Sequence, residues 1–83
     1  MKTTLERVYD VFVCCQHPRS ELGDDVTPKG LGVDSLGAVD LAIQLEMEFD
    51  IEVTDQETEC LSEKTIAEIA AIVDSKIAAK EAA

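Results

Sequence analysis

Ser35 is the residue whose setting best fits chemistry. It lies in LGVDSLGAVDL, residues 31–41, where a glycine-containing loop gives way to a helical pattern. Asp34 is a good N-cap, because its carboxylate can accept from the free N–H groups of a helix's first turn. Ser35 then takes the first helical position and keeps its hydroxyl free. An anion on that hydroxyl would lie against the helix N-terminus, where the dipole and unpaired N–H groups favour negative charge. The position therefore suits a phosphate ester. The plain alternative is that Asp34 and Ser35 only start a helix. Catalysis by Ser35 is the weaker reading, since a nucleophilic serine needs an adjacent base and an orienting group. The single histidine, His17, lies at the far end of the preceding loop, next to Pro18. GVDSLG is not the G-x-S-x-G elbow, and no oxyanion-hole pattern is visible. Ser35 is suited to receive a group rather than to attack a substrate.

The other reactive side chains point nowhere in particular. Cys14, Cys15 and Cys60 are odd in number and lack metal-ligand spacing. They read as free thiols in a reducing compartment, at least one of them in the core, and no metal site is expected. His17, a loop histidine without a sequence partner, reads as solvated.

Four helices must position Ser35. Thr3-Thr4-Leu5-Glu6 reads as a capping box, and Leu5, Val8, Phe12 and Cys15 then share a helical stripe. This helix stops before Pro18. The following long loop holds both prolines and three of the four glycines. Leu22, Val26, Leu31 and Val33 are the residues to pin it. The second helix spans about 35–49, and Ile51 and Val53 mark a brief extended link. Thr54-Asp55-Gln56-Glu57 opens a short helix ending near Cys60. Thr65-Ile66-Ala67-Glu68 opens the last, with Ile66, Ile69, Val73 and Ile77 at helical spacing. AAKEAA, residues 78–83, reads as a fraying tail.

The second helix has two apolar stripes. Ala38, Leu41, Ala42, Leu45 and Phe49 form one; Leu36, Val39, Ile43 and Met47 form the other. Asp40 borders the second on one flank, Glu46 and Asp50 on the other. A surface helix in a small bundle needs only one apolar face. The stripe with the aromatic ring is the core candidate. The stripe edged by carboxylates is the docking candidate, as exposed apolar residues rimmed with charge mark interaction sites. The competing reading buries both stripes in a central helix. Gly37 costs about 1 kcal/mol of helix propensity in a helix interior, less this near an end.

Length and charge bound the rest. The 83 residues allow one small domain, 1–83, with no room for a deep cleft. Tyr9, Phe12 and Phe49 are the only aromatics, so Leu, Ile, Val and Ala must build the core, as in a small helical bundle. Seven basic against 18 acidic residues give a net charge of -11. Nucleic acid and anionic membrane surfaces are thereby disfavoured, and a basic protein surface is the natural complement. MKTTLERVYD has no apolar run, and no segment is long enough to span a bilayer. A cytoplasmic monomer with no membrane insertion is expected.

LGVDSLGAVDLAIQLEMEFDIEV closely resembles the acyl carrier proteins. Their attachment motif, Asp-Ser-Leu after Leu-Gly-x, is matched by Leu31, Gly32, Asp34, Ser35 and Leu36. The resemblance runs on through Glu46, Glu48 and Phe49, Val53, the short third helix and Thr65-Ile66, and LERVYDVF fits the first helix. It implies an all-α fold: a small four-helix bundle, three longer helices and one short, with a long loop between the first two. It implies that a phosphopantetheinyl transferase moves phosphopantetheine from coenzyme A onto Ser35, flanked by Asp34 and Leu36. The arm's thiol then carries acyl groups as thioesters between partner enzymes, acyl-transferring and synthase enzymes with basic docking patches. Leu36, Val39, Asp40, Ile43, Glu46 and Met47 match the partner-facing positions, and Asp50 extends that edge. Small residues such as Ala38, Ala42, Ala67 and Ala70 could let an acyl chain slip between helices; the alternative is that they are only helix formers. VTPKGLG, with Thr27, Lys29 and Gly30, stands where the family usually has an aromatic and acidic pair, which points to a specialised carrier. The alternatives are an aminoacyl carrier, for example D-alanyl, and an unmodified carrier-like acidic interaction protein. Asp34 argues against the aminoacyl modules, which usually have Gly-Gly-x-Ser before the leucine.

Overall fold

The computed structural model describes residues 3–82. They form four helices and, among the described residues, no strand: α1 (Thr4–Cys14), α2 (Ser35–Phe49), α3 (Asp55–Leu61) and α4 (Ile66–Ala82). The bundle matches the expected all-α architecture, with three longer helices and one short.

Each helix starts where local chemistry dictates. Thr3 caps α1 by accepting from the Glu6 N–H at 3.2 Å. Thr54 and Glu57 form a reciprocal capping box at α3. Thr65 and Glu68 do the same at α4, at 3.0 and 3.1 Å. A side-chain cap of this kind stabilises a helix by about 1 kcal/mol. α1 ends as Gln16 turns left-handed at φ 72°, before Pro18.

The core joins Val8, Val11 and Phe12 of α1 to Leu41, Leu45 and Phe49 of α2. Leu61 of α3 and Ile66, Ile69 and Val73 of α4 complete it. α1 packs against α4 and α2, and α2 packs against α3.

The long loop is held down along its length. Leu22, Val26 and Leu31 pack on the core as expected, and Pro28 is fully buried. The carbonyls of Val26 and Asp24 accept from the Ile66 and Ala67 N–H groups, so the loop satisfies free donors at the start of α4. The Lys29 N–H donates to the Ser62 carbonyl at 3.0 Å. Two 3₁₀ turns, Arg19–Glu21 and Lys29–Leu31, lie inside the segment read as loop. Gly32, at φ 86°, ends the second and takes a backbone state that other residues adopt only with strain.

Three expectations need correction. No cysteine is in the core: Cys14 and Cys60 are exposed, and Cys15 is half-buried against the core's edge, where α1 ends. Ala67 faces solvent, unlike Ala38, Ala42 and Ala70, because it falls between the buried positions Ile66 and Ile69 on the far side of α4. Residues 78–82 continue the helix rather than fray, with Lys80 paired to Asp50; Ala83 lies outside the described residues.

Candidate functional site

Ser35 is the first residue of α2 and is exposed. Asp34 caps the helix: its Oδ1 accepts from the Gly37 N–H at 2.8 Å. The Ser35 hydroxyl makes no hydrogen bond among the described residues, so the division of labour read from the sequence holds locally. Gly37 has a packing reason to be glycine. A Cβ there would lie 2.9 Å from Val33 Cγ1, so the missing side chain lets Val33 tuck beneath the first turn.

Ser35 opens onto a groove of about 690 Å³ between the start of α2 and α3. Val33, Asp34, Ala38 and Val39 line one side, and Thr58, Glu59 and Ser62 line the other. Lys29 is the one cation in that lining. The sequence held a signal for it: Lys29 is the only basic residue between Arg19 and Lys64. A phosphate ester on Ser35 would lie at the helix N-terminus, in a groove that holds this ammonium, the hydroxyls of Thr58 and Ser62, and also the carboxylates of Asp34, Asp55, Glu59 and Glu63. The helix start suits a phosphate.

The exposed stripe of α2 is a real surface. Leu36 is 76% exposed, Met47 73%, Val39 47% and Ile43 45%. Asp40 stands exposed beside it. The two carboxylates of the other flank are already engaged. Glu46 is half-buried, and its Oε2 accepts from the Val53 N–H at 3.1 Å. Asp50, left-handed at φ 53° as the C-cap of α2, pairs with Lys80, which also donates to its carbonyl at 2.7 Å. The Lys80 ammonium holds the Asp50 carboxyl below its ordinary range.

Behind α3 lies a second space that the sequence did not announce. It has a volume of about 200 Å³, and Leu45, Ile51, Val53, Leu61, Ile69 and Ile72 make its wall almost wholly apolar. No motif could signal it, because its wall comes from four separate stretches of chain.

The cysteines and histidine add no site. Burial, with Cys14 and Asp40 nearby, pushes the Cys15 thiol up, away from the reactive thiolate. His17 is half-buried near the Phe12 ring. No cluster of His, Cys, Asp and Glu among the described residues could hold a metal ion. No helix there is long and apolar enough to cross a membrane.

The site presents an exposed serine at the start of a helix of a small acidic bundle. Comparison with known proteins specifies the class. The family described as "Phosphopantetheine attachment site" matches residues 13–73. An acyl carrier protein of Chlorobium phaeobacteroides is 38% identical over 64 residues, covering 69% of this chain and 76% of that one. Acyl carrier proteins of Chlorobium phaeovibrioides and Chlorobium luteolum are each 36% identical over 61 residues, covering 65% of this chain and 72% of theirs. The chain belongs to the acyl carrier protein family, whose members are carriers rather than enzymes.

Proposed function

We propose that Ser35 bears a phosphopantetheine arm, donated by coenzyme A, on which this chain carries acyl intermediates between enzymes. The observation that supports this most is the exposed, unbonded Ser35 hydroxyl at the start of α2, left free because Asp34 does the capping. In loading, the Ser35 oxygen bonds to the phosphorus of the phosphopantetheine moiety and the pyrophosphate bond of coenzyme A breaks. Adenosine bisphosphate leaves, and the serine proton passes to a base of the phosphopantetheinyl transferase. Once attached, the group supplies a terminal thiol that holds acyl groups as thioesters.

The chain's own residues position and present. Asp34 keeps the helix start in register. Lys29 offsets the phosphate charge. Leu36, Val39, Ile43 and Met47 offer an apolar docking face to the transferase and to acyl-transferring and synthase enzymes. Asp40, Glu46 and Asp50 set its acidic edges, which steer partners with basic patches. The largely apolar surface of the cavity behind α3 supports an acyl cargo. The protein works in this reading as a cytoplasmic monomer of one domain, serving fatty-acid, polyketide or specialised lipid synthesis.

Incubation of the apo protein with coenzyme A and a broad-specificity phosphopantetheinyl transferase tests it by intact mass. A gain of one phosphopantetheine, absent in Ser35→Ala, is expected. No gain with several transferases would leave the chain an unmodified interaction protein.

A further inference from the structure

Lys29 is built into the wall of the groove onto which Ser35 opens. Its N–H donates to the Ser62 carbonyl at 3.0 Å, and its carbonyl accepts from the Gly32 N–H at 3.1 Å. Pro28, just before it, is fully buried and accepts from the Val33 N–H at 2.9 Å. The backbone of Lys29 is thus tied to the end of α3 on one side and to the residues that lead into Ser35 on the other. The side chain is exposed. Lys76 and Lys80 are paired with Glu57 and Asp50. Lys29 forms no ion pair among the described residues, although Asp34, Asp55, Glu59 and Glu63 line the same groove. Lys64 lines the apolar cavity instead. Lys29 is therefore the one amine in the groove of Ser35, and no partner holds it. A free lysine amine is a nucleophile toward carbonyl carbon.

We propose that Lys29 is a self-acylation site, whose amine takes acyl groups from thioesters carried on Ser35. This inference rests on the carrier reading, and the experiment below separates the two. A thioester hung from Ser35 is an electrophile on a flexible tether, and such tethers give effective concentrations of about a millimolar. Lys29 Nζ, as the free amine, bonds to the thioester carbonyl carbon. The carbon–sulfur bond breaks, and the proton leaving nitrogen goes to the departing thiolate. One amide forms and one thiol is released, with no oxidant or other reactant. The amide outlasts the thioester and removes the one positive charge of the groove's lining. Cargo that waits too long for a partner enzyme is lost in this way, and the chain keeps a lasting mark beside Ser35.

The apo protein is loaded from octanoyl-coenzyme A by a broad-specificity phosphopantetheinyl transferase, freed of excess reagent and held in mildly alkaline buffer. Hydroxylamine then strips thioesters but leaves amides, and intact and peptide mass spectrometry read what remains. One octanoyl group on Lys29 is expected, formed at a rate independent of protein concentration. Apo protein exposed to about 10 μM octanoyl-coenzyme A should react there about a hundredfold more slowly, the ratio of a millimolar tether to micromolar reagent. The rate should rise from neutral to alkaline pH, because only the free amine attacks. Lys29→Arg keeps the charge without the nucleophile, so its loaded molecules should retain no octanoyl after hydroxylamine. Complete release from wild type would overturn self-acylation. So would octanoyl spread equally over Lys29, Lys64 and Lys80, a rate that climbs with protein concentration, or full retention in Lys29→Arg. A chain that does not load at all would refute the arm on Ser35 instead.

Discussion

α2 carries two apolar stripes of nearly the same chemistry, and they meet opposite fates. Ala38, Leu41, Ala42, Leu45 and Phe49 lie buried against α1, α3 and α4. Leu36, Val39, Ile43 and Met47 lie open to solvent on a different side of the same helix. Hydrophobicity does not separate them. The neighbours do: the other helices and the long loop cover one side of α2, and among the described residues nothing covers the other. Because burial is worth about 25 cal/mol per Å² of apolar surface, an open stripe forgoes stability that a small domain can ill spare. Leaving it open makes sense as a surface for another protein.

The sharpest way to break this comparison is to truncate one leucine on each stripe. Leu41→Ala should lose about 3 kcal/mol in urea unfolding, within the usual range for a buried leucine. Leu36→Ala should stay within about 0.5 kcal/mol of wild type. It should nevertheless slow phosphopantetheinylation about tenfold, as expected for an apolar anchor worth more than 1 kcal/mol to a partner. Equal losses of stability would mean that Leu36 is covered after all.

A smaller effect separates the two acidic edges. Glu46→Lys removes the acceptor of the Val53 N–H and should cost about 1 kcal/mol of stability as well as slowing partner association. Asp40→Lys should leave stability within about 0.5 kcal/mol and act on association alone, flattening its salt dependence. Should both variants associate at wild-type rates across salt concentrations, the docking face lies elsewhere. If Glu46→Lys is as stable as wild type, the tie to Val53 is idle.

The smallest effect is a pH dependence on the α3 side. Hydrogen bonds from Lys76 and then Thr54 hold the Glu57 carboxyl below its ordinary range. A lowered folded-state pKa stabilises the fold fully above the unfolded value, about 4.3, and that contribution is lost as pH falls through the folded value. The gap between wild type and Glu57→Gln, no more than about 1 kcal/mol for a pair this near the surface, should hold above about pH 5 and close in more acid solution. A gap unchanged down to the acid transition would show that the charge contributes nothing.

Much of the fold was legible because its signals are local. Thr54 with Glu57, and Thr65 with Glu68, announced two helix starts, and Asp34 announced a third. The burial of Phe49 over Met47 followed from counting which stripe held the ring. Less legible was anything that depended on chain segments meeting. Pro28 looked like a loop breaker and is a core residue. Glu46 looked like a free docking carboxylate and is tied to Val53. Cys15 looked like a core thiol and sits at the rim, since α1 ends just as it leaves the core.

By itself, then, the order of residues determined where helices begin, which stripe could form a core, and that Ser35 follows the Asp34 cap at a helix start. Capping and periodicity act within a few residues, so they can be read along the chain. Tertiary packing alone decided that Lys29 shares a groove with Ser35, that an apolar space opens behind α3, and that Glu57 meets Lys76 across it. Those contacts join residues distant in sequence, and no local preference encodes the distance between them.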